Sequence, residues 1–173
     1  MDNESKKLEY NETLFFGLLW KTKLDVFKNT SFILAIIFSL LLIWLFYKYN
    51  IDYTKTASDL WSILFASASG IFGIVIAALS VTTVLFKPRL KPKMLEYGLL
   101  QKFLFPFWFT VSLWCSVILL SFTIYLLLII KLTLLLKIVF HICIFIFLFA
   151  LFLTVNLTGL VIRLTLQDAQ IIE

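Results

Sequence analysis

Ala66–Lys93, ASASGIFGIVIAALSVTTVLFKPRLKPK, decides how this chain is read. It is a membrane-length apolar helix with a seam of small residues, and it runs directly into a basic segment punctuated by proline. Ser69, Gly73 and Ala77 follow one another at i, i+4, and Ala66 and Gly70 form a parallel pair beside them. On an α-helix this spacing stacks side chains on one face. Small side chains there let a neighbouring backbone come close, which matters in lipid, where no hydrophobic force draws helices together. Two readings follow. The seam packs against the other helices of the same chain, or it forms a homo-oligomer contact or pore-lining face. The opposite face, with Ile71, Phe72, Ile74, Val75 and Ile76, suits acyl chains or further packing.

The segment that follows, residues 87–102 (KPRLKPKMLEYGLLQK), carries five basic residues against one acid, Glu96. Pro88 ends the preceding helix, Pro92 suits the first turn of a new one, and Gly98 suits its stop. A short helix over about 93–97 at headgroup level is expected. Lys87, Arg89, Lys91 and Lys93 form a basic cytoplasmic loop. It acts as a topology signal, or else it binds anionic lipid or an acidic partner.

Working outward, the pattern predicts four membrane spans at about 31–47, 60–86, 103–130 and 138–162. A bilayer core needs about 20 apolar residues per helix, and each run meets or approaches that length without an Asp, Glu, Lys or Arg. Trp44, Tyr47, Tyr49, Trp61 and Trp108 fall near span ends, where aromatic belts form. Residues 48–59 read as a short polar connection. Lys131 and Lys137 bracket the expected turn between the last two spans, and Pro106 is expected in the first turn of the third, where proline is tolerated. Before the first span, residues 11–30 read as an amphipathic helix with Asn11 as its cap and Phe16, Trp20, Leu24 and Phe27 near one face, either interfacial or a lead-in packed beneath the bundle. The first apolar run is followed by no cleavage site and is expected to remain in the mature protein. The fold class is therefore all-α: a single polytopic membrane domain over 1–173, with a short polar tail at 163–173.

Composition agrees. Of 173 residues, 62% are hydrophobic and 14% charged, outside the range of soluble globular domains. Five basic residues precede the first span, five lie in 87–102 and one in the tail, against four (Lys48, Lys55, Lys131, Lys137) on the other side. This asymmetry places both termini in the cytoplasm, as expected of an inner-membrane protein. Nothing in it points to nucleic acid. Richness in Lys, Ile, Phe and Leu fits a low-GC bacterial gene.

The chemistry expected is sparse. Proton- and cation-coupled transporters need an ionisable group within the membrane, and the predicted spans carry no charged residue. One His and two Cys do not make a metal site. Cys115 and Cys143 differ in depth by about 10 Å, too far for a disulfide. No Walker motif, glycine-rich dinucleotide loop or nucleophile elbow is present, so neither a cofactor nor enzymatic activity is expected. The buried polar candidates are His141, as a hydrogen-bonded packing residue or a pH sensor, and Asn156, beside Thr154 and Thr158. Asn156 serves either as interhelical glue or as part of a pore-lining ring, because an unsatisfied amide in lipid is costly. Ser80, Thr82 and Thr83 face a wet vestibule or bond their own backbone.

Over residues 66–114, a small-residue helix, then FKPRLKPKMLEYGLL, then LFPFW opening the next span, the chain resembles small bacterial four-helix membrane proteins of phage-defence systems, such as the membrane subunit of the Kiwa system. The resemblance carries over no catalytic or binding residue. It implies an oligomeric sensor or effector in the membrane, working with a cytosolic partner. The expected function is thus that of a non-enzymatic oligomeric inner-membrane protein acting as sensor, pore or membrane-perturbing effector. The alternative is a membrane anchor that docks a cytosolic protein.

Overall fold

The computed structural model describes residues 30–85 and 99–170, with side chains over 30–81 and 104–162. Four α-helices occupy them: α1, Thr30–Lys48; α2, Tyr53–Leu85; α3, Leu99–Ile130; and α4, Thr133–Gln170. Each is long and apolar enough to cross a membrane, over Thr30–Lys48, Tyr53–Val81, Leu104–Ile130 and Thr133–Ile162. The reason for helices is general. In hydrocarbon, backbone N–H and C=O groups have no water to bond, and a helix satisfies them within its own segment. At 1.5 Å per residue the 38 residues of α4 extend about 57 Å, longer than the roughly 30 Å of a bilayer's hydrocarbon. The helix therefore tilts or projects past it. The interfacial helix at 11–30 and the short helix at 93–97 lie outside the described residues.

The helices pack in the order α2–α3–α4–α1, with a smaller contact between α2 and α4, and α1 rests chiefly on α4. Over their apolar 18-residue stretches the two central helices are 28% buried, against 17% for α1 and α2, so α3 and α4 form the spine. One cluster fills most of the bundle: Trp114, Val117 and Ile124 of α3 meet Leu136, Phe140, Cys143 and Ala150 of α4 and Ala57, Leu64, Ala68 and Val75 of α2. A second, aromatic cluster closes the end near Thr30. Here Phe32 of α1 lies edge-on to Phe149, with centroids 5.4 Å apart, and Phe109 of α3 reaches the same ring at 6.0 Å. Edge-to-face arrangements of this kind add to the dispersion energy of the contact.

Both turns at the opposite end are tight. The α1–α2 connection is four residues, 49–52, with Asn50 at φ 47°. Asn is one of the few residues at ease in that left-handed conformation. Ile51 N–H donates to Phe46 O at 3.2 Å. Asp52 Oδ1 then accepts from Thr54 N–H at 2.9 Å, an N-cap that starts α2. The polar stretch 53–59, expected as part of a loop, is therefore the first two turns of α2, because Asp52 caps the helix seven residues earlier than hydropathy alone indicated. The α3–α4 turn is shorter still, the two residues Lys131 (φ 62°) and Leu132. Lys137 does not mark this turn. It lies within α4, with its Nζ 5.1 Å from the Tyr53 ring centroid, so its stem runs along apolar surface and its charge sits on an aromatic face. Pro106 is also displaced from its expected place. Because α3 begins at Leu99, Pro106 stands inside the helix, and Thr110 Oγ1 donates to its carbonyl at 2.8 Å.

Candidate functional site

The small-residue seam is the feature to place first. The buried residues of α2 are Ala57, Leu64, Ala68 and Val75, with Trp61, Ile71 and Phe72 partly buried against the same core. Successive helical residues are about 100° apart, which puts Ala66, Gly70, Gly73 and Ala77 about 180° from that face. Ser69 lies just beside their line. All five are exposed, and a Cβ added at Gly70 or Gly73 would meet nothing within 4 Å. The expectation that the seam packs against the chain's other helices is therefore not met. The bulky residues Val75, Ile71 and Phe72 face inward, and Ile74 and Ile76 flank the exposed seam. The physical reason is contact area. Val75 and Leu64 bury more surface on α3 than glycines would, while Ala57 and Ala68 supply the small positions needed for close approach on the packed face.

The exposed line continues along most of the helix. Lys55, Asp59 and Ser62 extend it toward the α1–α2 turn, and Ser80 extends it the other way. Ser69 Oγ donates to Phe65 O at 2.8 Å and Ser80 Oγ to Ile76 O at 3.0 Å, so these donors bond the backbone one turn back. Thr82 and Thr83 lie outside the residues whose side chains are described. So does the basic loop of Lys87, Arg89, Lys91 and Lys93.

The two polar candidates of α4 are less buried than expected. His141 is half-buried and Asn156 is exposed. The buried polar side chains among the described residues are instead Ser31, Ser39, Thr110 and Ser121. His141 Nδ1 hydrogen-bonds Lys137 O at 2.7 Å, and its ring lies 5.4 Å from that of Tyr53 and 6.2 Å from that of Phe46. It joins α4 to the first turn of α2. Asn156 Nδ2 donates to Ser31 Oγ, linking the far end of α4 to the start of α1. Thr154, its neighbour, accepts a hydrogen bond from Trp114 Nε1 at 2.9 Å while donating to Ala150 O at 2.7 Å. Sequence reading missed the Trp114–Thr154 bond. The available signal was a Trp placed mid-span rather than in a belt, since a buried indole N–H needs an acceptor.

Cys115 is exposed and Cys143 buried, and both are free thiols; Cys143 Sγ lies 3.8 Å from Ser121 Oγ. Among the described residues no group of three or more His, Cys, Asp or Glu is placed to hold a metal ion. The described residues define a class, all-helical proteins with four helices long and apolar enough to cross a membrane. Comparison with known proteins returns no matching family model, curated protein or solved structure.

Proposed function

We propose that this chain is a non-enzymatic inner-membrane protein that self-associates through α2 and acts as a sensor, pore or membrane-perturbing effector. One observation carries the reading: Ala66, Gly70, Gly73 and Ala77 lie exposed on the face of α2 opposite its packed face. Lipid gains little from such a face, because small side chains offer acyl chains few dispersion contacts. A second helix gains much, because its backbone can approach closely. The resemblance to phage-defence membrane subunits extends the proposal to bacterial antiviral defence. The orientation proposed, with both termini cytoplasmic, rests on the distribution of Lys and Arg.

The second reading, an anchor that docks a cytosolic protein, is favoured by the basic segment 87–102. Two measurements separate the readings. Mass in nanodiscs gives the oligomeric state, and conductance in reconstituted bilayers tests for a pore. An oligomer that conducts is a pore; a silent oligomer is a sensor or effector; a monomer sinks the self-association reading and leaves the anchor.

A further inference from the structure

The end of the bundle away from Thr30 holds an open cleft of about 510 Å³ between the α1–α2 turn and the first turns of α4, a size that suits a small ligand. Phe46 and Tyr53 form its aromatic wall, with rings 5.2 Å apart. Tyr47 and Ile51 also line it, together with the polar groups of Asn50, Asp52, Thr54, Thr133 and Lys137. Its two charges are already positioned by other contacts. Lys137 Nζ is held over the Tyr53 ring. Asp52 is held by its helix cap through Oδ1, which accepts from Thr54 N–H at 2.9 Å and Lys55 N–H at 3.5 Å. Oδ2 takes no part in that cap.

A cation and an anion lining one cleft, each positioned without the other, suit a ligand that carries both signs. The anionic end belongs at Lys137, beside the Thr133 hydroxyl. The cationic end belongs at Asp52, beside the Asn50 amide. The aromatic face that would receive a quaternary ammonium is taken by Lys137 itself, so the ligand's cation meets a carboxylate rather than a ring. A primary ammonium, with three N–H donors, fits that partner. Exposed apolar side chains, Leu134, Ile138 and Ile142, stand at i, i+4 spacing on the adjoining face of α4, about 100° round the helix from Lys137, where acyl chains can lie. We propose that this cleft binds the phosphoethanolamine headgroup of a membrane phospholipid, with the phosphate at Lys137, the ammonium at Asp52 and the acyl chains along Leu134, Ile138 and Ile142. The inference does not require self-association.

The test uses the purified full chain in detergent, stripped of lipid. Native mass spectrometry follows the binding of phosphatidylethanolamine, phosphatidylglycerol and phosphatidylcholine. Lys137→Gln removes the cation. Asp52→Asn removes the anion but keeps the cap, because Asn accepts the same backbone hydrogen bonds. Phosphatidylethanolamine is expected to bind best. Each variant should weaken it about tenfold, the scale of one charge-assisted hydrogen bond. Asp52→Asn should leave phosphatidylglycerol, which has no ammonium, unchanged, whereas Lys137→Gln weakens both. A readout on the unaltered chain covers variants that fail to fold: acetylation of Lys137 should be slowed by phosphatidylethanolamine. Equal binding of the three lipids, wild-type binding by both variants, or unprotected Lys137 would overturn the site. Displacement of the lipid by equimolar free phosphoethanolamine would assign the cleft to a soluble ester and overturn the lipid assignment.

Discussion

Trp114 Nε1 donates to Thr154 Oγ1 at 2.9 Å across the α3–α4 interface, and the indole is fully buried. This one bond joins the two helices that carry most of the bundle's buried surface. Its ring also meets Phe147 edge-on at 5.5 Å, so hydrogen bonding and aromatic packing act at the same point.

The contribution of that bond is modest beside the packing. Trp114→Phe keeps most of the ring and loses the donor, and Thr154 Oγ1 retains its bond to Ala150 O. The expected loss is about 0.6 to 1.7 kcal/mol, the range for interhelical hydrogen bonds in lipid. Trp114→Ala should cost about 3–5 kcal/mol through the cavity it leaves. Unfolding in mixed micelles checks both, and equal losses would show that the bond rather than the ring dominates.

Gly73→Leu and Ala68→Leu make a paired test of α2. Gly73 is open within the chain, so the leucine variant should keep wild-type helix content and stability to within about 0.5 kcal/mol. It should nevertheless run as a monomer in nanodiscs, because the bulk holds a partner helix away; Gly73→Ala should be milder. Ala68 is fully buried, so Ala68→Leu overpacks the core and should cost about 1–3 kcal/mol. Retained oligomer mass in Gly73→Leu would make the seam ordinary lipid-facing surface.

Ser31 and Asn156 form the polar tie between α1 and α4. A double-mutant cycle with Ser31→Ala and Asn156→Leu should return a coupling of about 0.6 kcal/mol. Strict additivity would mean that the contact contributes nothing. Asn156→Leu alone should leave α1 in place, because Phe32 still packs on Phe149.

Orientation is tested at Tyr49, which is exposed in the α1–α2 turn. In right-side-out vesicles, Tyr49→Cys should react with an impermeant maleimide added outside. Labelling only after the membrane is opened would reverse the proposed topology. Tyr49 is preferable to Asn50 for this purpose, because Asn50 holds a positive φ that cysteine would occupy at some cost in stability.

The basic loop gives a functional test. Lys91→Gln with Lys93→Gln should leave insertion intact, since Lys87, Arg89 and Lys102 remain, while weakening binding of an acidic partner or anionic leaflet by roughly 1 kcal/mol per charge. Wild-type behaviour of the double variant in partner pull-down and phage challenge would reduce the loop to a topology signal.

The four apolar spans and their approximate bounds were legible in the sequence, because a charged side chain in hydrocarbon is costly and four long runs avoid one. Where the sequence reading slipped, at 53–59 and at Lys137, polar residues stood inside helices. Asp52 starts α2 before the apolar run begins, and Lys137 carries its charge to Tyr53 instead of breaking α4. The cleft was not legible, since it is built from a turn and a helix more than eighty positions apart. Which face of each helix is buried was decided only by the tertiary structure. In a soluble helix the apolar stripe names the buried face, because the other side must meet water. In a membrane both sides are apolar, and Leu, Ile and Phe are as much at home against lipid as against protein. The sequence of α2 therefore displayed a small face and a bulky face without saying which turned inward. The three-dimensional fit of Leu64 and Val75 against α3 made that choice and left Gly70 and Gly73 facing out.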